Sequence, residues 1–283
     1  MLFRSTVTID GSTAISFTTA TNLTFNAGTS QINVTSTLPS FSGGGQTFYN
    51  VSFTSTALST PSITGANTFN NLTFTGRTVI GLGSCTFSAN QTINGTLTLN
   101  AGTSAAYRIM LASDTVGTQR TLTCATISGG TDYDFRDINI AGAASPIAPT
   151  RAGDCKGNSG ITFPAAKTVY YASTVSNNWA VGSQGAWAAT SGGSADATMF
   201  PLAQDTAVFP AATYPASGST ITVNASYNIG TIDMSLRTSN TMTLATGTTA
   251  TQIYGNWING TGITLSGTGT ITITTVGQAC TLR

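Results

Sequence analysis

The sequence predicts an all-β protein built as a β-solenoid, in which short strands wind in successive coils that stack in parallel. Three observations predict it: strand-like alternation along nearly the whole chain, an internal repeat, and a composition rich in Thr, Ser, Asn and Gly. Charged residues make up only 7% of the 283 residues. A β-sandwich-like insertion between the coils is compatible with the pattern, and a set of β-sandwich domains is the alternative architecture.

Period-two alternation marks short strands from one end of the chain to the other, with Gly, Asn or Ser at intervals of roughly eight to twelve residues. Clear examples are Thr6–Ile9, Gln31–Thr35, Asn50–Phe53, Leu97–Leu99 and Thr270–Thr274. Aliphatic and aromatic residues alternate there with Thr, Ser or Asn, so each strand has one face to bury and one uncharged face for solvent. No segment keeps a helical period for more than a turn or two, and long helices are therefore not expected.

Internal repetition favours the solenoid over the sandwich. The segment Thr47–Phe53 (TFYNVSF) recurs 21 residues later as Thr68–Phe74 (TFNNLTF), which is about the length of one coil. The segment Leu23–Thr29 recurs 74 residues later as Leu97–Thr103, a distance of three or four coils. Because one coil cannot bury its inward side chains alone, successive coils are expected to stack and to align these side chains in ladders.

A change in composition divides the chain into two parts. The segment from 146 to 167 contains both lysines and three of the eight prolines. The sequence therefore predicts an N-terminal solenoid domain over residues 1–145, a Pro/Gly-rich junction over 146–167 and a C-terminal β-rich domain over 168–283. Trp179 and Trp187 follow the junction, and these large aromatic side chains are expected to close the start of the second stack.

Charge and hydropathy exclude several classes of function. Ten basic and nine acidic residues are scattered along the chain, so no basic stripe is available to neutralise phosphates and no nucleic-acid partner is expected. No apolar run approaches the roughly 18 residues that a membrane helix requires, and no membrane insertion is expected. The cysteines Cys85, Cys124, Cys155 and Cys280 lack metal-ligand spacing and histidine is absent, so they are expected in the core and no cofactor is predicted.

Residues 130–235 carry four motifs that together resemble a known group of proteins. The motifs are Asp134–Ile138 (DFRDI), Gly153–Ile161 (GDCKGNSGI), Lys167–Tyr170 (KTVY) and Pro201–Phe209 (PLAQDTAVF). In this combination they resemble β-helical phage virion proteins of tails, fibres and appendages, and also repeats of large bacterial surface adhesins. The resemblance implies a non-enzymatic structural component of a phage particle that contributes to host-surface attachment.

The same resemblance implies partners and a location. The expected partners are other virion proteins, further copies of the chain and a cell-surface glycan. A trimer is one of the oligomeric states that the sequence leaves open. The expected location is the virion, after assembly in the host cytoplasm. The bacterial cell surface is the alternative, but the start of the chain leads directly into strand alternation and shows no export signal. The alternative role is a polysaccharide-binding or polysaccharide-cleaving protein of the tailspike type.

Four aspartates near the domain boundary are the only candidates for chemistry in a chain that has no glutamate. They are Asp132, Asp134, Asp137 and Asp154. One functional interpretation is an enzyme that cleaves polysaccharide, because glycosidases use two carboxylates at a set separation. Another is a Ca²⁺ site, because oxygen ligands at alternating positions of a strand suit that ion. The simpler interpretation, which is favoured, is that these are exposed surface carboxylates that solvate a domain junction and pair with Arg136 and Arg151. On that interpretation the chain has no catalytic, cofactor or metal site.

Overall fold

The computed structural model describes residues 5–19, 21–181, 185–211, 213–274, 280 and 282. Over these residues the chain is a parallel β-solenoid of about 11 coils, which confirms the predicted fold class. The one helical element in this part of the chain is the 3-10 turn Ala197–Met199. None of the described segments forms a helix that is long and apolar enough to span a bilayer.

The first stack winds in coils of two strands each. Its strands are β1 (Thr6–Ile9), β2 (Thr13–Ser16), β3 (Gln31–Val34), β4 (Ser40–Ser42), β5 (Thr47–Phe53), β6 (Ser62–Thr64), β7 (Thr68–Phe74), β8 (Gly81–Phe87), β9 (Gln91–Leu99), β10 (Tyr107–Ser113), β11 (Arg120–Gly129), β12 (Tyr133–Arg136), β13 (Ile138–Ala141) and β14 (Gly153–Asp154). The odd-numbered strands from β1 to β13 form one seven-stranded sheet, which we call the odd sheet. The even-numbered strands from β2 to β14 form the opposite seven-stranded sheet, the even sheet. Each strand therefore pairs with the strand two places along the chain, as a solenoid requires.

The repeat found in the sequence is one full coil of this stack. Strands β5 and β7 pair in parallel, with Val51 beside Leu72. In the same register Phe53 lies beside Phe74. These two rings stack with centroids 5.0 Å apart and an interplanar angle of 6°. The alternation of large apolar and small polar residues thus forms the inward ladder that the sequence predicted.

The second stack winds in coils of three short strands. Its strands are β15 (Thr168–Tyr171), β16 (Asn177–Asn178), β17 (Trp187–Ala188), β18 (Thr206–Val208), β19 (Ser219–Thr222), β20 (Asn228–Ile229), β21 (Thr231–Asp233), β22 (Met242–Ala245), β23 (Thr251–Ile253), β24 (Trp257–Ile258), β25 (Ile263–Ser266) and β26 (Ile271–Ile273). They form sheets in the orders β17-β15-β18-β21-β24, β16-β19-β22-β25 and β20-β23-β26. The pairing of β15 with β17 is antiparallel, and the other pairings in these sheets are parallel.

The two tryptophans after the junction lie in the core of the first coils of the second stack. Trp179 and Trp187 are both buried, with ring centroids 4.6 Å apart. The Trp187 Nε1–H donates to the Trp179 carbonyl oxygen at 2.9 Å. Phe209 packs against both rings, so aromatic area fills this part of the stack where the strands are short.

The segment predicted as a junction continues the winding of the first stack. Strand β14 lies within it and pairs with β12. Isolated bridges join Asn139 to Ser159 and Ile147 to Ile161. The Pro-rich composition suits this irregular coil, because few regular ladder hydrogen bonds are needed there.

Strand β10 is buried on both faces because the second stack packs against its outer side. Ile109 and Leu111 point into the core of the first stack. Met110 and Ala112 point outward into a separate apolar cluster. The other buried members of that cluster are Cys155, Ala203 and Tyr254. The two stacks therefore share an apolar contact, which explains why β10 does not alternate with polar residues.

The cysteines differ in exposure. Cys85, Cys124 and Cys155 are buried as predicted, whereas Cys280 is partly exposed. Burial raises the pKa of the Cys124 thiol to about 12, and it raises the pKa values of the Cys85 and Cys155 thiols above their usual range. Because the thiolate is the reactive form, these three thiols are inert in the native protein.

We expect Ellman's reagent at mildly alkaline pH to titrate one thiol in the native protein, that of Cys280, and four after denaturation. A Cys280→Ser variant should release no thionitrobenzoate until it unfolds. The measurement is absorbance with time, with and without denaturant. Rapid reaction of a further thiol in the native protein would contradict the buried positions of the other three cysteines.

Candidate functional site

The four candidate aspartates lie where the two stacks meet, on and beside strands β12 and β14. Asp134 lies within β12 and Asp154 within β14, whereas Asp132 and Asp137 occupy the corners on either side of β12. Both corner residues have a left-handed backbone, with φ of 64° and 55°. Aspartate adopts this conformation more readily than most residues, because its short side chain can accept local hydrogen bonds.

Asp134 is fully buried and paired with charged and polar groups of both stacks. Its Oδ1 accepts hydrogen bonds from Arg108 Nε at 2.9 Å and Nη2 at 2.6 Å. Its Oδ2 accepts one from Asn228 Nδ2 at 3.0 Å, and Asn228 belongs to the second stack. Gly153 makes room for this carboxylate, since a Cβ at that position would clash with Asp134 Oδ1.

Arg108 links Asp134 to a second ion pair. Its Nη2 also donates to the carbonyl oxygens of Tyr133 at 3.0 Å and Arg151 at 2.8 Å. Arg151 donates to Asp132 from Nε at 2.7 Å and from Nη2 at 2.8 Å. These hydrogen bonds raise the pKa of Arg151. Arg108 Nη1 lies 3.8 Å from Asp132 Oδ1, so two arginines and two aspartates form one network with balanced charge.

Asp137 and Asp154 stabilise turns outside this network. Asp137 Oδ2 accepts a hydrogen bond from the Gly117 backbone N–H at 3.0 Å and lies 3.7 Å from Arg136 Nε. Asp154 Oδ1 accepts one from the Lys156 backbone N–H at 2.9 Å, and its Oδ2 lies 3.4 Å from Lys156 Nζ. Both carboxylates hold local backbone in place, as aspartates in turns commonly do.

This arrangement bears directly on the three interpretations of the aspartates. The side chains of Asp132 and Asp134 are 0% exposed, and both Asp134 oxygens already accept hydrogen bonds from protein groups. Among the described residues, no group of three or more Cys or Asp side chains has the geometry of a metal site. Glycoside cleavage and Ca²⁺ binding therefore gain no support from the geometry. The simpler interpretation predicted the ion pair of Asp132 with Arg151, but it was wrong about exposure, because Asp132, Asp134 and Asp137 are buried.

Sequence reasoning missed three members of this contact. Arg136, predicted as a partner of the aspartates, forms an ion pair with Asp137, with Nε 3.7 Å from Oδ2, and its Nη2 donates to the Ser113 carbonyl oxygen at 3.0 Å. The missed members are Arg108, Asn228 and Gln204. A signal existed for Arg108 alone, because an arginine inside a buried apolar strand requires a buried acceptor.

The side-chain amide of Gln204, a residue of the second stack, forms hydrogen bonds with backbone groups at the edge of the first stack. Its Oε1 accepts a hydrogen bond from the Asp154 backbone N–H at 2.9 Å. Its Nε2 donates to the Ala152 carbonyl oxygen at 3.0 Å. The side-chain amide thus takes the place of a neighbouring strand beside β14. Together with Asn228, it fixes how the two stacks meet.

Two of the openings on the first stack differ in chemistry. An apolar opening of about 450 Å³ lies at the first coil, where the core ends. An uncharged groove of about 430 Å³ runs across the outer face of the odd sheet. The polar residues that line this groove are Gln31, Asn50, Ser52, Asn71, Thr73, Thr96, Thr98 and Ser128. It therefore presents only amide and hydroxyl groups to a ligand.

Comparison of the chain with protein-family models, with curated proteins and with solved structures finds no match.

Proposed function

We propose that this chain is a non-enzymatic structural component of a phage particle, in a tail, a fibre or a capsid-bound appendage. One observation carries the proposal: in the parallel solenoid of about 11 coils, no described residue covers the core and the strand edges of the first coil. Open solenoid ends associate with other protein. The motif resemblance over residues 130–235 supports the same role.

Rigidity is the property that such a component needs, and two features supply it. The inward ladders are close-packed, as the stacked rings of Phe53 and Phe74 illustrate. The network of Arg108, Asp134 and Asn228 joins the two stacks through buried hydrogen bonds. Separating the stacks would break the hydrogen bond from Asn228 to Asp134 and expose the apolar cluster around Met110, so the stacks resist separation. We place the chain in the virion, assembled in the host cytoplasm and in contact with other virion proteins and other copies of itself.

The uncharged groove on the odd sheet favours a second candidate function, the binding of a neutral cell-surface glycan. Gln31 Nε2 donates to Ser52 Oγ at 3.0 Å, and Asn71 Nδ2 donates to Asn50 Oδ1 at 2.9 Å. These internal bonds hold the side chains in fixed positions and leave other donors and acceptors for sugar hydroxyls. Host-surface attachment is assigned to this face, and the aspartates of the buried network take no part in it.

The experiment is quantitative mass spectrometry of phage particles purified by density gradient. We expect peptides of this chain in many copies per particle, at a fixed ratio to the major structural proteins. A non-structural phage protein from the same lysate serves as the control and should be lost during purification. A chain that is abundant in infected cells but absent from purified particles would overturn the proposal. Release of reducing sugar from capsule or lipopolysaccharide by the purified chain would overturn its non-enzymatic character.

A further inference from the structure

Strand β1 is the first described strand of the solenoid, and none of the described residues pairs with its outer edge. Ser5 O accepts a hydrogen bond from Gln31 N at 3.3 Å, and Ile9 O accepts one from the same neighbouring coil at 2.8 Å. Backbone groups point to alternate sides along a strand, so the odd-numbered residues of β1 bond to β3. The N–H and C=O groups of Thr6 and Thr8 consequently face the free edge.

The inward side chains of this first coil also lack a covering layer. Val7 and Ile9 are partly exposed, whereas their neighbours one coil further in, Ile32 and Val34, are buried. The apolar opening is lined by Val7, Ile9 and Ile32 and by Leu23, which is 40% exposed. None of the described residues therefore fills the space that a further coil would occupy.

This edge lacks the features that normally block strand pairing. Strand β1 reads Thr-Val-Thr-Ile and strand β2 reads Thr-Ala-Ile-Ser, with no lysine, arginine or proline in either. Natural proteins protect exposed edges with such residues, since an unprotected edge pairs with any compatible strand. Their absence in both strands indicates that the edge is covered by another strand.

The chemistry of the first coil indicates what kind of partner can cover it. A lipid or another small apolar ligand would fill the opening but leave the backbone groups of Thr6 and Thr8 unpaired. A covering partner must supply strands to two sheets at once, the odd and the even. The opposite end of the described chain ends in three sheets, with β24, β25 and β26 as edge strands, and so cannot continue a two-sheet coil. The two-sheet end that matches is the same end of a second copy.

We propose that two copies of the chain pair head to head through β1 and β2 about a twofold axis perpendicular to the sheets. This rotation reverses the strand direction, so β1 of one copy meets β1 of the other in antiparallel fashion. With Val7 opposite Val7, Thr6 of one copy lies opposite Thr8 of the other. Aliphatic side chains then face the joined core and hydroxyl groups face solvent, because the alternation of β1 is preserved under the rotation.

This contact closes on itself at two copies, because both copies use the same surface. It gives neither an open filament nor the trimer that the sequence left open. The proposal goes beyond the proposed function and does not depend on it.

Thr8→Pro tests the pairing. Proline removes the N–H that faces the free edge and places its ring there, while the residues that bond to β3 keep their own groups. Thr8→Ser keeps that N–H and is the matched control. By sedimentation equilibrium we expect the wild type and Thr8→Ser at twice the 28.8 kDa chain mass. Thr8→Pro should dimerise on the order of thirtyfold more weakly, because two symmetry-related hydrogen bonds are lost.

Far-ultraviolet circular dichroism and thermal unfolding establish whether Thr8→Pro folds. If it does not fold, hydrogen exchange of the Thr8 amide in the wild type decides, with protection that rises with protein concentration as the expected result. A wild type that sediments as a monomer or a trimer at micromolar concentration would overturn the proposal, as would a folded Thr8→Pro that dimerises like the wild type. A monomer found in particles would refute the pairing alone, and a dimer absent from particles would refute the proposed function alone.

Discussion

Replacing Arg108 with methionine will lower the free energy of unfolding by about 3–5 kcal/mol. Methionine fills much of the space of the arginine stem, so the loss reports mainly the removal of charge. Asp134 would keep its hydrogen bond from Asn228 but would lose both bonds from the guanidinium group, and its charge would stay buried. A carboxylate in that state is one of the most destabilising features that a single substitution can create.

A surface ion pair of the same stack provides the matched control for this prediction. Arg120 Nη2 lies 2.8 Å from Asp114 Oδ1, but the two side chains are 22% and 39% exposed. Arg120→Met should therefore cost only about 0–1 kcal/mol. The measurement is denaturant unfolding followed by circular dichroism and tryptophan fluorescence. Equal losses for the two variants would show that the buried pair of Arg108 and Asp134 stabilises the protein no more than a surface ion pair does.

The double variant Arg108→Met with Asp134→Leu sharpens the test. It removes both charges of the pair and substitutes apolar side chains of similar size. Burying such side chains in place of an ion pair is often neutral or stabilising, so the double variant should recover part of the loss seen for Arg108→Met. A double variant that is less stable than the single one would show that the network contributes more than its charge balance.

The second large effect is expected in the last ladder of the second stack. Leu244 and Leu265 are neighbours in register on adjacent coils, and they are 0% and 49% exposed. Leu244→Ala will lower the free energy of unfolding by about 2–5 kcal/mol, because it removes buried apolar surface and leaves a cavity. Leu265→Ala will cost only about 1 kcal/mol, because half of that side chain already contacts water.

Both residues are leucines that lie side by side in register on adjacent coils. The comparison therefore isolates the effect of burial on the free energy of unfolding. Both variants are to be measured by denaturant unfolding with tryptophan fluorescence, since all three tryptophans lie in the second stack. The ratio of the two losses is the informative quantity. A Leu265→Ala variant as destabilised as Leu244→Ala would show that another layer of protein covers the last coil in solution.

Much of the fold could be predicted because its signals are local. The alternation in Thr47–Phe53 and its recurrence in Thr68–Phe74 are properties of neighbouring residues, and they predict both the strand and the length of the coil. The number of strands per coil could not be predicted in the same way. It depends on the angle that each corner takes, and corners such as Asp132 and Asp137 reach left-handed conformations that composition alone does not specify.

The aspartate cluster was predicted in position but not in role. The density of carboxylates around Asp134 marked the region where the two stacks meet. Its main cationic partner, Arg108, lies 26 residues away, and Asn228 lies 94 residues away in the other stack. The sequence predicted Arg136 and Arg151 as cationic partners, and both form ion pairs with an aspartate of the cluster. It could not indicate Arg108 or Asn228, because no local pattern relates them to Asp134.

By itself, the sequence determined that inward apolar ladders stack coil on coil beneath an uncharged hydroxyl and amide surface, because most strands carry that pattern. The tertiary structure alone decided that Arg108, Asp134 and Asn228 meet in a buried network and that β10 is covered on both faces. Those contacts depend on how the second stack packs against the first, and this packing joins residues that no local period relates.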